Sequence, residues 1–187
     1  MKEKMYKYAH LLLTKGLCIN QGQPLLINAP IEAVEFVRIL TKVACELNIR
    51  DIYYDWNDAE LKYLELKYFN EEEIKQSRFW NKSIHDEYAK KDAAFLFLTS
   101  SGNDLMKDIE PSKLKVASSH SLHTRDLYRE KQSNNEIDWC IAAVATPDWA
   151  DLVFPNIDNS LEKLWETIID ICLVNNENPE KEWDNKM

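Results

Sequence analysis

Hydrophobic positions recur along the chain with two periods, one typical of amphipathic helices and one typical of strands. Near the amino terminus Met5, Tyr8 and Leu12 follow helical spacing, and Gly16 comes next as a stop signal. Short apolar runs predict four strands, over residues 24–28, 51–56, 93–98 and 138–144.

Several helices carry start signals in addition to their apolar periodicity. Asn57 with Glu60, and Asn70 with Glu73, have the spacing of capping boxes, in which two side chains bond each other's backbone N–H groups. Further helices are predicted over residues 30–47, 111–130 and 160–173, and around Ile84 and Tyr88.

The order of these elements predicts the fold class. Strand and helix alternate four times, which indicates an α/β fold with a doubly wound, mostly parallel sheet. We expect about four or more strands, with helices on both faces of the sheet. The run over residues 93–98 is apolar on both sides, as a central strand requires. A single α/β domain is predicted over residues 1–176.

The end of the chain carries helix-start signals but little helix. Asn178 suits an N-cap, Pro179 suits the first helical position, and Glu180 adds negative charge to the first turn. No stop signal follows, and Trp183 has no evident partner. We therefore interpret residues 177–187 as the start of a helix that leads to a missing C-terminal domain. A frayed natural tail is the alternative.

Charge and composition argue against several function classes. The formal net charge is -9, so a phosphate backbone would be repelled and no nucleic-acid partner is expected. The apolar stretch at residues 11–13 is too short for a signal peptide, and no later run reaches membrane-spanning length, so no membrane partner is expected. Three glycines in the whole chain leave no Gly-rich phosphate loop.

The four cysteines indicate the redox compartment. Cys18, Cys45, Cys140 and Cys172 show no CxxC spacing and lie in apolar elements. We interpret them as reduced and mostly buried thiols. A cytoplasmic location is therefore expected.

The candidate metal ligands and nucleophiles do not converge. His120 and His123 have the minimal spacing of a metal pair, but arginines follow on the same predicted helix. Consecutive His85, Asp86 and Glu87 point about 100° apart on a helix, so a solvated face explains them better. The loop at residues 99–104 lacks the GxSxG elbow of a serine nucleophile. No catalytic residue and no metal ligand is predicted in this chain.

Polar loop starts follow the carboxyl ends of the four predicted strands. In an open α/β sheet such turns share one edge and border a crevice. The alternative is that these residues serve simply as helix caps, with a Thr cap, a first-turn Pro and an Asp at the helix dipole. The candidates for a cavity rim or a domain interface are Asn57, Asp58, Thr146, Pro147, Asp148 and Trp149.

Four segments resemble the N-terminal domain of a known enzyme family. They read GQPLLINAPIEAVEFVRILTKVACELN, YYDWNDAELKYLELKY, NNEIDWCIAAVATPDWADLVFP and LEKLWETIIDICLV. The similarity runs over residues 6–183 and is to the thermophilic-type metallo-aminopeptidases, the aminopeptidase T and aminopeptidase S (PepS-like) group. The motif ATPDWA and the turn WND are its most specific parts.

The resemblance implies an exopeptidase that removes amino-terminal residues from peptides with two divalent metal ions, zinc, cobalt or manganese. In this family Glu, His, Tyr and Asp ligands lie in a separate C-terminal domain, and nothing here matches them. The resemblance therefore implies that this chain helps wall the substrate cavity, contributes to a homodimer and is inactive by itself. The alternatives are a stand-alone small-molecule binding module and a structural or oligomerisation domain.

Overall fold

Four parallel strands form the centre of the molecule. A computed structural model describes residues 1–76, 79–101, 104–122 and 125–185. The strands are β1 (Leu25–Pro30), β2 (Ile52–Asn57), β3 (Ala94–Thr99) and β4 (Trp139–Ala143). They pair in parallel in the order β2-β1-β3-β4, which confirms the predicted α/β class and parallel sheet.

Helices connect the strands and cover the sheet. Among the described residues, no helix combines the length and the apolar character needed to cross a membrane. A single π-helical turn, Leu12–Gly16, extends the first helix. The helices are α1 (Lys2–Leu11), α2 (Val34–Glu46), α3 (Ala59–Tyr68), α4 (Glu71–Gln76), α5 (Phe79–Lys90), α6 (Pro111–Leu122), α7 (Asp126–Ser133), α8 (Pro147–Val153), α9 (Ser160–Ile171) and α10 (Pro179–Asp184).

One face of the sheet packs against α1, α2 and α9 and forms the larger core. Leu25 and Ile27 of β1 belong to this core and are fully buried. The ring of Phe36 on α2 lies 5.5 Å from that of Tyr8 on α1 and 5.2 Å from that of Trp165 on α9. Burying side chains of this size contributes about 1.5–3 kcal/mol each, so this face holds most of the apolar stabilisation.

The other face packs against α5 and α7 and forms a smaller core. Leu26 of β1 and Phe95 of β3 alternate onto this side. The Phe95 ring lies 4.6 Å from that of Tyr128 on α7. The Tyr88 hydroxyl of α5 donates a hydrogen bond of 2.6 Å to Asp51. Helices therefore cover both faces of β3, and its prediction as a central strand is confirmed.

The prediction of one continuous helix over residues 111–130 is wrong, because α6 and α7 are separate helices. Arg125 precedes α7 in a non-helical conformation. The N–H of Tyr128, in the first turn of α7, donates a hydrogen bond of 3.0 Å to the Asp86 carboxylate of α5. A partner from a distant segment thus caps this helix start, and no local signal in the sequence reveals it.

The two predicted capping boxes have different outcomes. The Asn70 N–H donates to the Glu73 carboxylate at 2.8 Å, and the Glu73 N–H donates to the Asn70 side-chain oxygen at 3.0 Å, as predicted. The prediction that Asn57 caps α3 is wrong, because β2 continues through Asn57 opposite Pro30. Asp58 caps the helix instead, and its carboxylate accepts the Leu61 N–H at 2.9 Å.

The last helix, α10, packs back onto the domain. The indole N–H of Trp183 donates a hydrogen bond of 2.9 Å to the Cys172 carbonyl, so the interpretation that Trp183 has no partner is wrong. The Glu180 carboxylate lies 3.2 Å from the Nδ1 of His10. These contacts join the end of the described chain to α1 and α9. The predicted division after residue 176 stays a prediction.

The cysteines are less buried than predicted. Cys18 and Cys45 are exposed, and Cys140 and Cys172 are half-buried, so the prediction of mostly buried thiols is wrong. Cys18 lies in the loop after the π-helical turn, and Cys45 lies on the outer side of α2. All four thiols are free.

Gly16 packs closely against the edge strand, and this contact gives a test of the packing. A Cβ at position 16 would lie 2.9 Å from the Cys140 sulfur. We expect Gly16→Ala to lower the free energy of unfolding by about 1–3 kcal/mol, although alanine is the better helix former. Urea denaturation measures the change. The same substitution in a Cys140→Ala background should cost much less; an equal cost in both backgrounds would contradict this contact.

Candidate functional site

A cleft of about 650 Å³ lies at the carboxyl ends of the strands. The strand order reverses beside β1, because the chain passes from β1 to β2 on one side and to β3 on the other. Loops on either side of such a reversal diverge and leave a crevice. Each strand contributes residues at or near its end to the lining: Pro30, Asn57, Thr99 and Thr146.

Four of the six candidate rim residues line this cleft. Asn57 and Asp58 lie at the end of β2, and Thr146 and Asp148 lie at the start of α8. The parallel sheet brings these two distant segments to the same edge. Thr146 occupies the N-cap position of α8, but its side chain makes no capping hydrogen bond, so its predicted cap role is wrong. Only 5% of Thr146 is exposed.

The other two candidates lie away from the cleft. Pro147 lines a separate groove of about 370 Å³ beside α1 and α9. Trp149 is half-buried and packs against the larger core. Successive helical residues point about 100° apart, so the first turn of α8 directs its side chains to different surroundings. The structure thus brings four of the six together and separates these two.

A chain of hydrogen bonds fixes the orientation of Asn57 at the rim. The Asn57 amide donates to the side-chain oxygen of Asn28 at 2.8 Å. The Asn28 amide in turn donates to the Asp55 carboxylate at 2.7 Å. Asn28 is the register partner of Asp55 across the two strands. Sequence reasoning missed Asp55, although its position two residues before Asn57 on a strand places both on the same side.

His85 lies behind Asp55, inside the smaller core. The prediction that His85 belongs to a solvated helix face is wrong, because its side chain is fully buried. Its Nε2 lies 3.8 Å from an Asp55 oxygen. Its ring stacks on Phe95 at 6.1 Å and meets the edge of Tyr128 at 5.7 Å. A fully buried imidazole on this side of the sheet has no access to a ligand in the cleft.

Asp86 and Glu87 follow His85 but lie in other surroundings. Asp86 accepts the Tyr128 N–H of α7, and Glu87 pairs with Lys90 at 2.5 Å on the exposed surface. The three consecutive residues therefore point apart, as their helical spacing predicts.

Arg125 adds a partly buried positive charge to this region. Burial lowers the pKa of the Arg125 guanidinium, and the negative charge of Asp55 opposes that effect. Burial also raises the pKa of the neighbouring Tyr128 hydroxyl to about 12. The arginine stays charged at neutral pH and places a positive charge near Asp55.

The described residues do not form a metal centre. Within residues 1–76, 79–101, 104–122 and 125–185, no group of three or more His, Cys, Asp or Glu is arranged to hold a metal ion. The side chains of His120 and His123 lie outside the described part of the chain. A catalytic metal therefore does not fit the residues that line this cleft.

Residues 1–187 match the family described as thermophilic metalloprotease (M29). The chain belongs to the M29 family. It is 31% identical to Aminopeptidase 2 of Geobacillus stearothermophilus over 97% of its length. It is 30% identical to Aminopeptidase AmpS of Bacillus subtilis (strain 168) over 98% of its length.

A solved structure of a family member shares the fold. Wild-type AmpT from Thermus thermophilus matches 90% of this chain with a TM-score of 0.82 and 28% identity. This M29 chain spans about 45% of the length of the two curated relatives and 43% of the AmpT chain. The resemblance to the N-terminal domain of the family's aminopeptidases is confirmed.

Asp55 gives a test of the network behind the rim. Asp55→Ala removes the acceptor of the Asn28 amide and the negative charge near Arg125. We expect the free energy of unfolding to fall by about 1–3 kcal/mol, measured by urea denaturation. Asp158→Ala, at an exposed position, is the control and should change stability by about 0.5 kcal/mol or less. Equal urea midpoints for the two variants would contradict a stabilising role for this network.

Proposed function

We propose that this chain is the N-terminal domain of a metal-dependent aminopeptidase that hydrolyses amino-terminal residues from peptides. The observation that carries the proposal is the TM-score of 0.82 with AmpT over 90% of the chain. The family match over residues 1–187 and the two relatives named as aminopeptidases support it.

In this proposal the domain forms one wall of the substrate cavity, and another domain performs the reaction. The cleft of about 650 Å³ offers room for part of a peptide, and the described residues around it include no metal-ligand group. Two divalent ions, zinc, cobalt or manganese, would lie in a C-terminal domain to which residues 177–187 lead. There they would polarise the scissile carbonyl and supply hydroxide. The N-terminal domain alone would be inactive.

A homodimer and a cytoplasmic location complete the proposal. Trp139 and Ile141 of the edge strand β4 are 42% and 60% exposed. Apolar side chains on an open sheet edge are typical of a surface that a partner covers, here the C-terminal domain or a second copy. Four free thiols agree with a reducing compartment.

Activity measurements on two proteins test the proposed function. One is the 187-residue chain, and the other is the product of the complete open reading frame that contains it. With added zinc, cobalt or manganese, we expect the complete product to release p-nitroaniline from aminoacyl p-nitroanilides and to lose this activity with a chelator. The 187-residue chain should neither cleave the substrate nor bind a divalent ion stoichiometrically.

Blocked substrates provide the control for an exopeptidase. An N-acetylated aminoacyl p-nitroanilide lacks the free amino group and should resist the complete product. Cleavage of the blocked substrate at the same rate would contradict the aminopeptidase. Cleavage of the free substrate by the 187-residue chain would contradict the division of labour between two domains.

A further inference from the structure

Helix α10 lies on the outside of the domain and has no buried residue. It spans six residues, and a helix of this length is not stable by itself in water. Its start is well defined, because the Asn178 side chain accepts the Lys181 N–H at 3.0 Å and Pro179 lies in the first turn. Contacts with the rest of the chain must therefore hold α10 in place.

Two carboxylates of α10 contact side chains of α1 and of the π-helical turn that extends it. The Glu180 carboxylate lies 3.2 Å from the His10 Nδ1 and 2.9 Å from the Thr14 hydroxyl. The Lys15 ammonium donates to both oxygens of Asp184 at 2.9 Å. Residues four apart on a helix share one face, so both carboxylates of α10 meet the same surface.

Trp183 lies next to Asp184 in the sequence and anchors the helix to the domain. Its indole N–H donates to the Cys172 carbonyl at 2.9 Å, and its half-buried ring packs against the larger core. The two carboxylates stay in contact with water, since the side chains of Glu180 and Asp184 are 38% and 53% exposed. Salt therefore screens the attraction between Asp184 and Lys15.

The surface beneath α10 has its own support. Tyr8, Leu12 and Leu13 hold α1 and its π-helical turn through burial in the larger core. Gly16 packs closely against Cys140 of β4. Burial of large apolar side chains contributes more to stability than exposed ion pairs do. These contacts would remain after α10 had moved away.

We propose that α10 is a strap that releases from α1 as a unit when salt screens its carboxylates, while the sheet and the other helices stay folded. Such local opening requires less free energy than unfolding of the domain, because α10 has no buried residue. The inference stands without the proposed aminopeptidase function. In the proposed longer protein, ionic strength would thereby act on the direction in which the chain passes from this domain to the next.

Hydrogen exchange of the 187-residue chain, followed by ¹H–¹⁵N NMR, tests the strap. The α10 probes are the Glu182 and Asn185 amides and the Trp183 indole, whose hydrogen bonds form and hold this helix. The amides of β1 and β3 report on the rest of the fold. Raising the NaCl concentration from about 0.02 to about 0.5 M should speed exchange at the α10 probes about three- to tenfold and leave β1 and β3 unchanged.

A charge swap connects the release to the pair of Lys15 and Asp184. Lys15→Glu brings like charges together and should speed exchange at the α10 probes about two- to tenfold in low salt. Adding Asp184→Lys restores opposite charges and should return exchange to within about twofold of the original chain. Glu182→Lys is the matched control, because it makes the charge change of Asp184→Lys at another exposed position of α10, and exchange at Trp183 should stay unchanged.

Three results would overturn the strap. Equal exchange at the α10 probes in low and high salt would mean that screened charges do not hold the helix. Exchange as slow as in β1 and β3 would mean that α10 opens only with the whole domain. Equal exchange at Trp183 in Lys15→Glu and Glu182→Lys would exclude the ion pair as the fastening. If Lys15→Glu also lowers the protection of β1 and β3, the salt comparison on the unchanged chain decides.

Discussion

Burial of β1 between β2 and β3 positions every segment that borders the cleft. Leu25, Leu26 and Ile27 are fully buried, and they alternate between the two cores. Parallel strands must be joined by crossover connections, so all four strands end at the same edge of the sheet. The loops at that edge diverge beside β1 because the strand order reverses there, and this divergence opens the cleft.

Asp55 connects the smaller core to the rim of the cleft. The residue is 8% exposed, and its carboxylate accepts from Asn28 and lies near the positive charge of Arg125. A buried carboxylate is tolerated only when it has hydrogen-bond donors or positive charge close to it. The partners that satisfy Asp55 therefore also hold Asn28 and Asn57 in place, so the rim geometry and the stability of the core depend on the same contacts.

The described lining of the cleft is polar and holds more carboxylates than cations. Its lining offers carboxylates, amides and a nearly buried hydroxyl, and the described residues there form no metal centre. His85, whose Nε2 lies 3.8 Å from an Asp55 oxygen, is closed off inside the core. The chain belongs to the M29 family and spans about 45% of the length of its curated relatives.

Local patterns in the sequence determined the fold class, most helix and strand positions and the edge at which the polar loops gather. The capping box at Asn70 was readable because its two partners lie three residues apart, and β3 was readable because its continuous apolar run requires cover on both faces. Only the tertiary structure decided that Asp86 caps α7, that His85 is buried, and that Thr146 lines the cleft without capping α8. Those outcomes depend on strand register and helix packing between distant segments, and no spacing within one segment records them.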